Sequence, residues 1–312
     1  MTTGKLIIDN EILLSICVPT YNRVSMLNDL YESIITQNSH DTQLVIVNDG
    51  SIDETEFIVD GWIKEKKVKI KYFFQNNSGR GSALRKALLN SDGEYSIIMD
   101  DDDYFLEGSF DIIRDSVLKL KCLYNFKKPL AGFSFHCVDE DGHILGNKFQ
   151  KDEYISDYFK IRFFDNISGD KKEIVKTDII NNNIYNHYYN ESRVVTTTLW
   201  HKIAYYYDCV CIDTPVAVKR YLTDGMTDAL LIHKTQSPNY QIDNWLTKIN
   251  YPHLFSFYNV FLFSMFYWKY WFFGGSVNLL KIKFSRLPLV LFALPMGFVL
   301  FLRDIYKVKT IK

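Results

Sequence analysis

The chain has 312 residues, 47% of them hydrophobic, which suits one large domain or a domain with an appendage and is too apolar for a disordered protein. Lys and Arg total 36 against 37 Asp and Glu, a balance that argues against a general nucleic-acid binder. The charge is unevenly spread: from Leu254 onward eight basic side chains face one acid, Asp304, which leaves 28 basic and 36 acidic side chains before it, a net of −8.

Five cysteines (Cys17, Cys122, Cys137, Cys209, Cys211) are scattered, odd in number and without a CxxC pair. This pattern predicts a reduced, cytosolic setting rather than a disulfide framework or a zinc site. The N-terminus MTTGKLIIDNEILL has no basic region followed by an uninterrupted apolar stretch, so no secretory signal is expected there.

The first hundred residues alternate short apolar strands with amphipathic helices. Leu13 to Pro19 reads as a buried strand, followed by a helical stripe of Val24, Leu27, Leu30, Tyr31, Ile34 and Ile35. Leu44 to Val47 is the next strand. Ser51-Ile52-Asp53-Glu54 has capping-box spacing, and Phe57, Ile58, Gly61 and Trp62 are expected on the inner face of the helix it opens. Lys69 to Phe74 is a third strand, Gly81 to Leu89 a third helix, and Tyr95 to Met99 a fourth strand running into Asp100. Strands and helices in this alternation imply right-handed βαβ units around a parallel sheet. Ligands bind such sheets beyond the carboxyl ends of the strands. Three segments fall there: Pro19-Thr20-Tyr21-Asn22-Arg23, Asn48-Asp49-Gly50-Ser51 and Asp100 to Asp103. From about Ala131 to Thr235 the pattern loosens, apart from a strand at Gly132 to Val138 and a turn at Asp141-Gly142. After Pro238 aromatic and aliphatic residues dominate.

Four consecutive aspartates repel one another and raise each other's pKa unless a cation sits among them. Hard carboxylate oxygens beside a diphosphate are what Mg²⁺ or Mn²⁺ prefers. Asp49 could accept the imide N–H of a uracil ring, or could hold an Asx-turn into the following helix. The stretch Asn77-Ser78-Gly79-Arg80-Gly81-Ser82 is glycine-rich and precedes a helix, which invites a phosphate reading with Arg80 and Arg85 within reach. It is neither a Walker A loop nor a GxGxxG after a first strand.

Taken together, strand-VPTYNR, VNDGSID, NxG before a helix and strand-DDDD resemble glycosyltransferase family 2 over roughly residues 13 to 228. The resemblance implies a GT-A fold: an α/β, Rossmann-like nucleotide-binding mixed sheet flanked by helices. It implies uracil contact at Asp49, ribose contact at Asp100 and metal binding at Asp102. Four aspartates leave the register open by one, so Asp101 and Asp103 stay as candidates. Gly169-Asp170-Lys171 with Glu173, Glu191-Ser192-Arg193-Val194 closing at Trp200, and Tyr221-Leu222 with Asp224-Gly225-Met226-Thr227 are similar to elements of bacterial members that build surface polysaccharides. Asn190 replaces the glycine usual before the Glu, and the widespread ED base motif is absent. An inverting transferase needs one carboxylate to deprotonate the acceptor hydroxyl, and Glu191 is the first choice, with Asp170 and Asp224 behind it. Lys171, Arg193 and Trp200 are further acceptor-side candidates.

The tail has two apolar segments, Leu254 to Phe273 and Leu287 to Leu302, the second broken by Pro288, Pro295 and Gly297. Neither is a clean spanning helix. Their basic flanks, Lys269, Lys281, Lys283, Arg286, Arg303, Lys307, Lys309 and Lys312, suit a monotopic or peripheral attachment to anionic lipid on the cytoplasmic face of a bacterial inner membrane. A buried helical pair or a homo-oligomer interface is the other reading. The expected organisation is a catalytic domain over residues 1–236 (nucleotide-sugar half about 10–130, acceptor half about 131–236) and a C-terminal aromatic and basic helical region over 237–312. The expected activity is transfer from a UDP-sugar to a polyprenyl-diphosphate-linked saccharide in surface-polysaccharide synthesis. Transfer to a polyprenyl phosphate, or a non-catalytic nucleotide-binding scaffold, are the alternatives.

Overall fold

The computed structural model describes residues 12–122, 128–188, 191, 194–221, 230–251 and 256–311. They form two compact units, each taken here by itself.

The first unit comprises residues 1–77, 83–182 and 207–220 and holds a nine-stranded mixed sheet. In chain order its elements are β1 (Leu14–Thr20), α1 (Val24–Ile35), β2 (Thr42–Asn48), α2 (Thr55–Glu65), β3 (Lys69–Phe74), α3 (Arg80–Leu89), β4 (Tyr95–Ile98), β5 (Tyr104–Phe105), α4 (Ser109–Cys122), β6 (Leu130–Val138), β7 (Tyr154–Ser156), α5 (Tyr158–Phe163), β8 (Lys171–Lys176), α6 (Thr177–Asn183) and β9 (Asp208–Val218). The strand order is β3-β2-β1-β4-β8-β6-β9-β5, with β7 pairing on β9. β3, β2, β1 and β4 run parallel, in register through Val45↔Lys71, Cys17↔Val45 and Cys17↔Ile98. β8 then enters antiparallel between β4 and β6. All seven residues of β1 and all seven of β2 are buried, as befits central strands covered on both faces.

The core follows from the strand and helix periodicities. Ile16, Val18, Ile46 and Ile97 meet Leu27, Leu30 and Ile34 of α1, and Tyr31 stacks on Trp62 with ring centroids 4.0 Å apart. α2 departs from expectation. It starts at Thr55, because the Asp53 carboxylate takes the N–H of Thr55 (3.2 Å), its hydroxyl (2.5 Å) and the N–H of Val24 (3.1 Å). Ser51 instead accepts the N–H of Asn22 at 2.9 Å. The later start turns the helix so that Thr55, Val59 and Trp62 are buried while Phe57 faces solvent.

The second unit comprises residues 78–82, 183–206 and 221–312. It holds α7 (Thr197–Ala204), α8 (Leu230–Thr235), α9 (Pro238–Asn250), α10 (Phe257–Phe272), two 3₁₀ turns, α11 (Leu287–Phe292) and α12 (Leu294–Ile311). The expected boundary at residue 236 therefore differs from the observed one: segments 183–206 and 221–236 group with the C-terminal helices. Ile242, Leu246, Val260, Phe263, Tyr267 and Val290 form its core, and the Trp268 indole donates to the Val290 carbonyl at 2.7 Å.

Two cations expected at a lipid surface have interior partners. Lys269 is buried and pairs with buried Asp304 at 2.9 Å, tying α10 to α12. Arg286 donates to the Tyr251 carbonyl (2.8 Å) and to that of Ile249, closing the C-terminal end of α9. Among the described residues no single helix is long and apolar enough to cross a membrane; Phe284–Phe292 and Leu294–Lys309 together have the composition, but bend by 51° at their junction. Pro288 and Pro295 stand in the first turns of α11 and α12, where a missing N–H costs nothing.

Candidate active site

β3, β2, β1 and β4 are parallel neighbours, so the segments after their carboxyl ends line one edge of the sheet. Gln75 to Asn77, Asp49 and Gly50, Tyr21 to Arg23, and Asp100 to Asp103 all follow those ends. The three predicted segments of this edge are thus brought together.

At the end of β2 the side chains divide the labour. Asn48 Oδ1 accepts the N–H of Ser51, three residues on, at 2.7 Å and holds this turn, and its amide donates to the Tyr72 hydroxyl at 2.9 Å. Asp49 is buried and accepts from Gln75 Nε2 at 2.7 Å. The turn therefore does not need Asp49. Gly50 has φ +85°, and a Cβ on it would stand 2.9 Å from the Asn77 backbone nitrogen. That close approach holds the predicted Asn77 against the Asp49 turn.

Pro19 and Thr20 end β1 opposite Val47 and Asn48, buried, while Tyr21 is exposed. Asn22 adopts φ 54° and accepts the Ile52 N–H at 2.8 Å, which locks this turn onto the one after β2. Arg23 then points at the aspartates: Nη1 lies 3.2 Å from Asp101 Oδ1 and 3.0 Å from Asp102 Oδ2.

The aspartate run is neutralised by side chains the sequence did not single out. Lys172 Nζ lies 2.7 Å from Asp103 Oδ2, and Lys219 Nζ lies 3.3 Å from Asp100 Oδ2 and 3.4 Å from Asp103 Oδ2. Burial opposes the charge on both lysines, yet Asp103 raises the pKa of Lys172, and Asp100 with Asp103 raises that of Lys219. Burial pushes Asp101 up to about 6 despite Arg23. Asp102 is also raised, by burial first and then by Asp100 and Asp103.

Asp100, Asp102 and Asp103 each offer a carboxylate oxygen within 4.8 Å of the others. Among the described residues the buried Asp103 Oδ1 has no hydrogen-bond partner. Three carboxylates, one of them with an orphaned oxygen, fit a divalent cation such as Mg²⁺ or Mn²⁺. Asp101 stands outside this group and belongs to Arg23.

The remaining predicted residues are more dispersed. Asp170 is in the sheet unit, half-buried, and contributes to the field at Lys219. Lys171 clamps two carbonyls, Leu145 at 3.0 Å and Ser168 at 2.8 Å, and burial with Arg162 nearby lowers it to about 8. Gly79 has φ +88° at the approach to α3, Arg80 opens that helix and Arg85 lies within it, both half-buried. Gly81 serves packing: a Cβ there would meet the Val194 Cβ at 2.4 Å, and its carbonyl accepts the Tyr185 hydroxyl at 2.8 Å. Trp200 lies in α7, half-buried. Glu191 is buried, and its two oxygens accept the N–H groups of Asn239 and Tyr240, each at 2.8 Å, at the start of α9. It therefore caps a helix at the position where an acceptor base was expected. Arg193 and Asp224 lie outside the described residues.

Residues 15–113, which hold β1 to β4 and the whole aspartate run, match the family model Glycosyl transferase family 2. A GalNAc(5)-diNAcBac-PP-undecaprenol beta-1,3-glucosyltransferase of Campylobacter jejuni is 29% identical over 197 residues, 60% of this chain and 58% of that protein. Among solved structures, S. aureus TarS 1-349 in complex with UDP-GlcNAc superposes with TM-score 0.61 at 18% identity, over 90% of this chain and 79% of that one. The mannosyltransferase PcManGT of Pyrobaculum calidifontis, in complex with GDP-Man and Mn²⁺, gives TM-score 0.50 at 16% identity, over 96% of this chain and 81% of that one. The chain spans half or less of the length of the first curated relatives it matches, from 18% to 50%. The family match over residues 15–113 agrees with the mixed sheet and with the carboxyl-edge site, and supports a glycosyltransferase of family 2.

Proposed function

We propose that this chain transfers a sugar from a UDP-sugar to a lipid-linked saccharide, with inversion at the anomeric carbon, in the synthesis of a bacterial surface polysaccharide. The observation that carries this reading is the placement of Asp49 and the Asp100–Asp103 run beyond the carboxyl ends of neighbouring parallel strands, with the Ser51 N–H taken by Asn48. A buried carboxylate in that position can accept the imide N–H of uracil. UDP-GlcNAc in one structural neighbour and an undecaprenol-linked acceptor in the name of one relative support the two substrate classes. GDP-Man in another neighbour makes the base a matter for experiment.

In the transfer, the acceptor oxygen bonds to the anomeric carbon as the bond from that carbon to the nucleotide diphosphate breaks. The acceptor's proton passes to a carboxylate of the protein. Asp170 is the first choice for that base, because it shares the sheet unit with the aspartate run, whereas Glu191 has both oxygens engaged by α9. Asp100, Asp102 and Asp103 would hold Mn²⁺ or Mg²⁺, which when bound offsets charge developing on the departing diphosphate.

The C-terminal helices supply the membrane side of the reading. Phe284, Phe292, Val299, Leu302 and Tyr306 are all exposed, with Lys283, Arg303, Lys307 and Lys309 along the same stretch. Apolar side chains flanked by cations suit the inner leaflet of an anionic membrane, where a lipid-linked acceptor would be presented.

Titration calorimetry of the full chain with UDP and with GDP, each with Mn²⁺ and with chelator, tests the proposal. Metal-dependent binding of UDP that is lost in Asp102→Ala supports it. A folded chain that binds neither nucleotide sinks it.

A further inference from the structure

The aspartate run carries two claims on one carboxylate. Asp102 belongs to the group of three that fits a divalent cation, and its Oδ2 accepts from Arg23 at 3.0 Å. A guanidinium and a divalent cation held on the same carboxylate repel each other strongly.

The three cations at the run differ in freedom. Lys172 is 7% exposed and Lys219 19%, whereas the Arg23 side chain is 39% exposed. The described bonds from Arg23 to the aspartates both use one nitrogen, Nη1. This is not the two-pronged geometry that makes arginine–carboxylate pairs strong. Only the arginine end of the two contacts is open to solvent, since Asp101 and Asp102 are 7% and 14% exposed.

The Arg23 backbone, by contrast, is fixed. Its carbonyl accepts the N–H groups of Met26 (3.1 Å) and Leu27 (3.0 Å) to open α1, and the preceding Asn22 is bonded to both Ser51 and Ile52. Any rearrangement is therefore confined to the side chain. Its base stands at the carboxyl edge where a nucleotide diphosphate would lie.

We propose that Arg23 is an exchangeable counter-ion: it neutralises Asp101 and Asp102 in the nucleotide-free site and moves to the donor's diphosphate on binding, so that metal and nucleotide bind cooperatively. The inference rests on the site reading given above and adds a positioning role for Arg23. A diphosphate offers the guanidinium fork a better partner than two single contacts. Asp102 is released for the cation as that contact forms. By linkage, the nucleotide must then strengthen metal binding as much as the metal strengthens nucleotide binding.

The test is Mn²⁺ affinity of the full chain, read from the spectrum of free Mn²⁺ by electron paramagnetic resonance, with and without saturating UDP. Wild type should bind Mn²⁺ more than about tenfold more tightly when UDP is present. In Arg23→Gln, Mn²⁺ without UDP should bind about tenfold more tightly than in wild type, and the effect of UDP should shrink by about the same factor, leaving the direct attraction between cation and diphosphate. Arg23→Lys, which keeps a cation at the position, should retain weak metal binding in the absence of UDP. Unchanged or weaker metal binding in Arg23→Gln, with the UDP effect intact, overturns the exchange and leaves the transferase reading standing. Wild type that binds neither Mn²⁺ nor UDP overturns both.

Discussion

Lys172 and Asp103 form a buried ion pair, Nζ to Oδ2 at 2.7 Å, with the lysine in β8 and the aspartate just beyond β4. Removing the lysine leaves the buried carboxylate with only the longer contact to Lys219, at 3.4 Å. Lys172→Met should therefore cost about 3 kcal/mol in urea unfolding, while the double variant with Asp103→Leu should recover most of it. Equal midpoints for Lys172→Met and wild type would mean that the pair is not desolvated.

Asp49→Asn should weaken UDP binding by about 1.5–3 kcal/mol, because the amide keeps the shape but not the charge of the acceptor. Calorimetry with UDP reads this directly. Uridine should show the same loss, since the contact is proposed to the base; a loss for UDP without one for uridine would move Asp49 from base to phosphate recognition.

Glu191 and Asp170 separate cap from base. Glu191→Ala should lower stability by about 1–2 kcal/mol through the start of α9. The folded fraction should keep turnover within a few-fold. Asp170→Asn should lower turnover by at least about 100-fold with little change in the melting midpoint. The reverse pattern would restore Glu191 as the base.

Burial pushes Glu173 up to about 7, with Arg162 opposing it, from an ordinary value of 4.5. Between those values the folded chain holds a proton that the unfolded chain has released. Stability must fall as pH rises through that window, and be insensitive to this group above it. Glu173→Gln cannot ionise. Its melting midpoint minus that of wild type should grow from pH 5 to pH 7 and then level off. A constant difference across that range would show that Glu173 is already ionised in the folded chain.

Phe292 and Val299 are large, apolar and exposed in α11 and α12. Replacing both by Asp should leave the circular dichroism spectrum unchanged and remove co-sedimentation with vesicles containing phosphatidylglycerol. Vesicle binding that survives the double variant would place the contact elsewhere.

The sheet edge could be read from sequence because its strands are buried on both faces, so LSICVPT and TQLVIVN are almost unbroken apolar runs. The aspartates and Asp49 could be read because acids at strand ends have few structural uses. Lys172 and Lys219 could not. A lysine in or after a strand ordinarily reads as solvated, and only β8 pairing between β4 and β6 turns Lys172 towards Asp103. The available signal was the KKEIVK strand, which places two lysines on opposite faces. The capping bonds of Glu191 were hidden for a related reason: its partners are two backbone N–H groups nearly fifty residues away, and backbone groups leave no trace in a sequence. On α2, Ile58 and Trp62 face the core as expected while Phe57 does not, and the helix starts at Thr55 beside the Asp53 bonds.

The crossing of the chain at Gly146 and Gly169 has an evolutionary consequence. Both have positive φ; a Cβ on Gly169 would stand 2.0 Å from the Leu145 carbonyl oxygen, and one on Gly146 would stand 2.4 Å from the Ser168 carbonyl. Lys171 is bonded to those same two carbonyls. Neither glycine can be exchanged neutrally, since the backbone of Ser168 and of Leu145 occupies the space a side chain would need. Both positions should therefore stay glycine. Loops on either side can lengthen and diversify around that fixed point without disturbing the strand that carries Lys172 to the aspartates.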